Sequence, residues 1–279
     1  MKILAAAAVA AQMMLLGAPA EKNLVIVQTA FSQSEDGPAI AHDDQFQPGE
    51  TLFFRCQVQG YKKSEKDEIN ITYQVQATDS HDVPLLLGEN GVVKSVLSPE
   101  DKNWMPKIRY TVIVPSLVDS GEYQVVVKVK DELGGTSAET RAVFLVKGRD
   151  VAPSDTLVVR NFRFFRGESD NQPLRVAAYR PGDQLWARFD MVGYKIGEKN
   201  LFDIEYGLVV YRADGSVAYS QEQAASAKEA PFYPQHYQPG ELNLNMPKDI
   251  ATGEYTIVLT VRDNLGQQRC ETRENFSIE

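Results

Sequence analysis

Residues 115–129 read Pro-Ser-Leu-Val-Asp-Ser-Gly-Glu-Tyr-Gln-Val-Val-Val-Lys-Val, and residues 247–261 read Pro-Lys-Asp-Ile-Ala-Thr-Gly-Glu-Tyr-Thr-Ile-Val-Leu-Thr-Val. In each, a proline-led polar stretch ends in Gly-Glu-Tyr and passes straight into an alternation. Tyr123, Val125, Val127 and Val129 carry it in one, and Tyr255, Ile257, Leu259 and Val261 in the other. Period two puts those side chains on one face of a half-buried strand.

The likeness continues outward. Upstream, Phe46-Gln47-Pro48-Gly49-Glu50 matches Tyr179-Arg180-Pro181-Gly182-Asp183, and Val58-Gln59-Gly60-Tyr61-Lys62 matches Met191-Val192-Gly193-Tyr194-Lys195. Phe31 falls on Phe164, and Ile71-Thr72-Tyr73 falls on Ile204-Glu205-Tyr206, all at one offset of 133 residues. Downstream the offset is 132, where Asp131-Glu132-Leu133-Gly134 matches Asp263-Asn264-Leu265-Gly266 and Phe144 matches Phe276. Register held over so long a span is the signature of a tandem duplication. Further alternations, Leu52/Phe54/Cys56/Val58 and Leu185/Ala187/Phe189/Met191, add strands at matching places. No sustained helical period follows the leader, and Ala224–Ala230 is long enough for a turn or two of helix at most.

The two Pro…Gly-Glu-Tyr segments resemble the tyrosine corner of immunoglobulin-like and fibronectin type III sandwiches. There a tyrosine opening the penultimate strand bonds back across a Greek-key connection. The resemblance covers both repeats and implies an all-β chain of two tandem Greek-key immunoglobulin-like β-sandwiches, about seven strands each. It departs from antibody domains in lacking paired inter-sheet cysteines around a core tryptophan. The expected organisation is a signal peptide over 1–20, a first sandwich over 21–148, a linker over 149–155 and a second sandwich over 156–279.

The leader rests on Lys2, the apolar run Ile3–Leu16 and small residues at Ala18 and Ala20 before charge resumes at Glu21-Lys22. An apolar run of this length is short for a bilayer, which needs about twenty residues. The expected location is therefore periplasmic or extracellular, with no membrane span after cleavage. The 279 residues carry 29 Lys and Arg against 38 Asp and Glu, a net charge of -9, which disfavours nucleic acid as a partner. Cys56 and Cys270 fall at core-facing positions of different repeats and read as buried free thiols.

Chemistry is thin. His42, His81 and His236 sit in polar, loop-like contexts without a nucleophile elbow, a zinc motif or a phosphate-binding glycine loop. No catalytic residue, cofactor or metal ligand set is expected. Loop acids at Ser34-Glu35-Asp36, His42-Asp43-Asp44 and Glu168-Ser169-Asp170 lack calcium-loop spacing and read as solvated turns, with a weak calcium site left open.

The candidate binding residues are aromatic. Trp104 lies in the 102–106 loop, and Phe232, Tyr233, His236 and Tyr237 in the 232–237 loop. Phe165 is expected exposed or covered by the neighbouring repeat, and Trp186 faces outward. Such loops are stacking surfaces, unless the aromatics instead cap the end of their own core. The expected function is non-enzymatic: an interaction or scaffold protein binding another envelope or extracellular protein. The alternative is a carbohydrate-binding accessory protein that holds a polysaccharide on loops 102–106 and 232–237.

Overall fold

The computed structural model describes residues 23–41, 43–101 and 103–279. Residues 1–22, which include the expected signal peptide over 1–20, and also His42 and Lys102 lie outside the described residues. The chain is all-β: among the described residues there is no α-helix, only single 3-10 turns at Pro99–Asp101 and Glu198–Asn200.

Residues 25–146 form two sheets. One is three-stranded, in the order β1 (Val25–Ser32), β3 (Thr51–Gln59), β6 (Lys107–Ile113). The other is five-stranded: β2 (Gln45–Phe46), β8 (Ser137–Val146), β7 (Gly121–Asp131), β4 (Glu68–Asp79), β5 (Glu89–Val96). Residues 158–278 repeat the plan, with β9 (Val158–Phe165), β11 (Gln184–Val192) and β14 (Tyr237–Asn245) in the smaller sheet. The larger runs β10 (Ala178–Tyr179), β16 (Gln268–Ile278), β15 (Gly253–Asp263), β12 (Phe202–Arg212), β13 (Val217–Glu229). Each half thus has eight strand segments. The extra one is a two-residue strand, β2 or β10, pairing parallel to the last strand.

The alternations bury as their period demands. Leu52, Phe54, Cys56 and Val58 face Ile71, Val75, Val125 and Val127 in the first core; Leu185, Ala187, Phe189 and Met191 face Ile204, Ile257 and Leu259 in the second. Two sheets closing on one apolar layer is a β-sandwich. Both tyrosine hydroxyls bond back four residues, Tyr123 to the Asp119 carbonyl at 2.9 Å and Tyr255 to the Ala251 carbonyl at 2.7 Å. Before each long strand the turn is clamped alike: Glu50 accepts the Gln47 N–H at 2.8 Å, and Asp183 the Arg180 N–H at 2.9 Å. Gly49 and Gly182 supply the positive φ that the turn needs.

Three expectations need correction. Ala224–Ala230 is not helical, because most of it continues β13 as the sheet's edge strand. Phe165 is neither exposed nor covered by the other half. It is buried, and the Arg188 guanidinium of its own sheet lies 4.6 Å from its ring centre. Its parity is outward, opposite Trp186, while Phe164 opposite Ala187 faces the core, so the ring is buried on the outer face beneath Arg188. The bulges at Asn161 (φ 53) and Gln28 (φ 53) recur at equivalent places in the two halves. Cys56 is buried as expected, but Cys270 is only half-buried.

Candidate functional site

The aromatic loop 231–237 is built from its own half outward. Tyr194 donates its hydroxyl to the Gln235 carbonyl at 2.6 Å, and Asn200 donates its amide to the carbonyls of Pro231 and Phe232 at 3.1 and 2.7 Å. The first half makes the matching bond from Tyr61 to the Trp104 carbonyl at 2.5 Å. So the Gly-Tyr-Lys tyrosine of each repeat ties down the loop that precedes the sixth or fourteenth strand.

Held in this way, Tyr233 leaves its own half and enters the other. It is 8% exposed, packs into the first half's core, and donates its hydroxyl to Asp79 Oδ2 at 3.0 Å. The other oxygen of Asp79 accepts the N–H groups of His81 and Val83 at 2.8 and 2.9 Å, so this carboxylate closes the β4 turn and receives the neighbour's tyrosine at once. The Tyr123 hydroxyl stands beside that of Tyr233. Burial pushes Tyr123 up to about 12, with the nearby Asp119 adding to the shift. Burial raises Tyr233 further.

A second contact comes from the connecting segment. The Arg149 N–H donates to the Val118 carbonyl at 3.0 Å, and Ser120 bonds Asp150 and the Gly148 carbonyl, which fixes the segment to the first half. Gly148 is required there, because a Cβ would sit 2.1 Å from the Val118 carbonyl oxygen. The Arg149 side chain reaches into the second half. It pairs with Asp190 Oδ2 at 2.7 Å and lies 5.6 Å from the Tyr237 ring centre. Asp190 is wholly buried and also takes the Asn161 amide at 2.8 Å, while its Oδ1 has no partner among the described residues. Its counterpart in the first half, at the 133-residue offset, is Gln57.

The structure therefore scatters the seven candidate residues. Tyr233 and Tyr237 are buried in the joint between halves. His236 is exposed at its rim, facing Asp119 of the first half. Phe232 is 51% exposed. Phe165 lies beneath Arg188. Trp186 is half-buried on the outer face of β11, across from Asn243 and Phe165, its indole 3.5 Å from Gln184. Trp104 is 39% exposed, at the end of the first half opposite the joint. The aromatics of the 232–237 loop do cap a core, but Tyr233 caps the other repeat's.

Two of the acidic loops, 34–36 and 168–170, are held by arginine. Asp36 takes Arg109 at 2.9 Å and Lys107 at 3.2 Å, and these bonds hold its carboxyl below the usual range. Arg55 donates to the Gly37 carbonyl at 2.7 Å; its equivalent Arg188 donates to the Asp170 carbonyl at 2.7 Å and also to that of Glu168. Among the described residues no group of three or more His, Cys, Asp and Glu side chains is placed to hold a metal.

One duplicated pair escaped the sequence reading. Asp131 and Asp263, read as turn formers, are buried, and each accepts a backbone N–H from the distant Gly-Tyr-Lys segment: Lys62 at 2.6 Å and Lys195 at 2.9 Å. The available signal was that an acid and the Gly-Tyr-Lys motif recur together in both repeats.

No family model matches the chain, and no curated protein matches it. Among solved structures it is similar to the C-terminal domain of the Streptococcus pyogenes antigen I/II-family protein AspA. The identity is 12% and the TM-score 0.31, over 93% of this chain and 99% of that one. The Streptococcus agalactiae BspA C-terminal domain gives 15% identity and a TM-score of 0.30, over 90% and 99%. Native Escherichia coli alpha-2-macroglobulin gives 7% identity and a TM-score of 0.30, over 94% of this chain and 17% of that one. Likeness at this level assigns neither a family nor a function.

Proposed function

We propose that this chain is a non-enzymatic interaction or scaffold protein of the periplasm or cell exterior, and that it binds a protein partner through two immunoglobulin-like Greek-key sandwiches. The observation that carries the reading is the joint. Tyr233 on Asp79 and Arg149 on Asp190 tie the halves at two separate points, which presents the surfaces of both in one fixed relation. That is the property a scaffold requires, since preorganised surfaces lose less freedom on binding. The strand orders and the paired tyrosine corners support the immunoglobulin-like assignment of each half. The leader-like residues 1–20 support export.

The carbohydrate reading is weakened by placement. Loops 102–106 and 232–237 stand at opposite ends of the first sandwich, and two of the stacking rings are committed to the joint. A chain starting at Glu21 serves as bait against envelope and secreted proteins, beside a bait carrying Trp104→Ala and Phe232→Ala, the exposed aromatics. Specific capture of a protein by the first bait is expected. Retention on polysaccharide alone, lost in the second bait, would transfer the assignment to sugar binding.

A further inference from the structure

We infer that β5, the outer strand of the first half's larger sheet, is a docking edge for an extended segment of a partner polypeptide that is apolar at two alternate outward positions with an acid between them. This rests on the proposed protein-binding role and specifies its site.

The inference comes from two edges that the duplication made equivalent. Both β5 and β13 end a five-stranded sheet, and each therefore presents a row of backbone N–H and C=O groups that no neighbouring strand takes. β13 is blunted, because its pairing with β12 breaks register twice, between Tyr206 and Leu208 and between Val210 and Tyr211. Such bulges twist an edge away from an incoming strand. By contrast, β5 pairs with β4 through eight consecutive residues, Glu89 to Val96, without a shift. A straight, unbulged edge accepts a further strand.

Its outward side chains say what that strand carries. Val93 packs inward, so Val92, Lys94 and Val96 face out, set against Thr72, Asn70 and Glu68 of β4. Val92 and Val96 are 57% and 68% exposed. Hollows of about 720 and 570 Å³ lie beside them on the sheet face. On the same sheet Lys128 and Lys130 are already paired with Glu139 and Glu132, whereas Lys94 joins no ion pair among the described residues. An incoming strand shares the faces of its neighbour and sets its side chains opposite those of β5. It would therefore place apolar groups by the valines and an acid by Lys94. A second copy of β5 fits less well: antiparallel pairing about a twofold keeps faces in common, and Glu89 and Lys94 point to opposite faces, so they cannot meet.

The probes are two synthetic peptides, Thr-Val-Thr-Glu-Thr-Val-Thr and the same peptide with Lys at its centre, added to the full chain while amide exchange is followed strand by strand. The Glu peptide is expected to slow exchange across β5 by about ten-fold at about 1 mM and to leave β13 unchanged. Lys94→Glu, an exposed change that leaves the core intact, is expected to reverse the preference toward the Lys peptide. Three results would overturn the inference: no slowing by either peptide, equal slowing at β13, or slowing that grows with protein concentration alone and so marks a second copy. The bait experiment separates this from the broader reading. A partner held equally well by Lys94→Glu bait removes the edge and leaves protein binding standing, whereas β5 protection by peptide with no protein captured removes the broader reading alone.

Discussion

In the first half, the loop before β6 ends in Trp104-Met105, anchored by Tyr61 and open on its outer side; in the second, the corresponding loop is anchored by Tyr194 and buries Tyr233 and Tyr237 at its neighbour while Phe232 and His236 stay exposed. The anchoring is the same in both, so the difference lies in what the loop presents beyond the anchor. Trp104 keeps a ring at the surface, while Tyr233 adds a hydroxyl that meets a carboxylate already needed to close a turn. A parallel divergence separates Gln57 from Asp190: one β-strand position, once neutral and once charged, with the charge facing the connecting arginine. Duplication supplied two equal units, and a few substitutions at one end made a joint of them.

The most direct way to break this difference is Tyr233→Ala. It opens a cavity in the first half's core and strands Asp79 Oδ2, at an expected cost of about 3–5 kcal/mol. Calorimetry reads the consequence: the intact chain is expected to unfold in one transition, and the variant in two as the halves uncouple. Tyr233→Phe keeps the ring, and should cost about 1–2 kcal/mol through the unpaired carboxylate oxygen. A single unchanged transition for Tyr233→Ala would show that the ring does not couple the halves.

Arg149→Ala comes next. It leaves the wholly buried Asp190 without its cation, which costs about 3–5 kcal/mol when both partners are buried. Because the arginine is about half in water, about 2–3 kcal/mol is expected. The comparison with Gln57 sharpens this test. Asp190→Gln, which installs the first half's residue, should recover most of the loss in the Arg149→Ala background and be destabilising when the arginine is present. A double-mutant cycle by urea unfolding measures that coupling, and additive effects would mean that the pair is incidental.

The sheets and the repeat were legible because period two, turn residues and two copies all agree. What the loop aromatics do was not legible. A sequence shows that Tyr233 and Tyr237 are apolar rings on a proline-fixed loop, but whether they cap their own core or the neighbour's depends on how the halves meet. Phe165 has the outward parity that the alternation gives it, but period two does not show that Arg188 of the neighbouring strand lies over its ring and buries it. Asp131 and Asp263 were placed in turns correctly, yet their role is long-range, and a turn preference hides a bond to a residue about 70 positions away.

The two tyrosine corners allow a finer comparison. Tyr123→Phe and Tyr255→Phe each remove one hydroxyl-to-carbonyl bond, worth about 1 kcal/mol in stability. Tyr123 should cost the more, because its hydroxyl also lies beside Tyr233 in the joint. Its titration gives a separate reading. In the unfolded chain a tyrosine ionises near 10, as tyrosines commonly do, whereas burial holds Tyr123 at about 12. The folded state thus keeps a proton that the unfolded state releases. The stabilisation is complete below about pH 10 and is lost as pH rises toward about 12. Tyr123→Phe should make the alkaline decline in stability shallower by one proton's share, and an unchanged slope would place that hydroxyl in water.

The smallest effect concerns the thiols. Cys56 faces the first core, and burial pushes it up to about 12, so almost none is thiolate at neutral pH. Cys270 is half-buried on the last strand; burial raises it too, while a hydrogen bond from the Val261 backbone pulls it back. A disulfide reagent at about pH 8 should therefore modify Cys270 slowly in the folded protein. It should modify Cys56 only at the rate of global unfolding, so Tyr233→Ala, which destabilises the first half, should speed Cys56 and leave Cys270 nearly unchanged. Equal acceleration at both thiols would mean that the halves unfold together even without the joint tyrosine, and the coupling would then belong to Arg149 and Asp190.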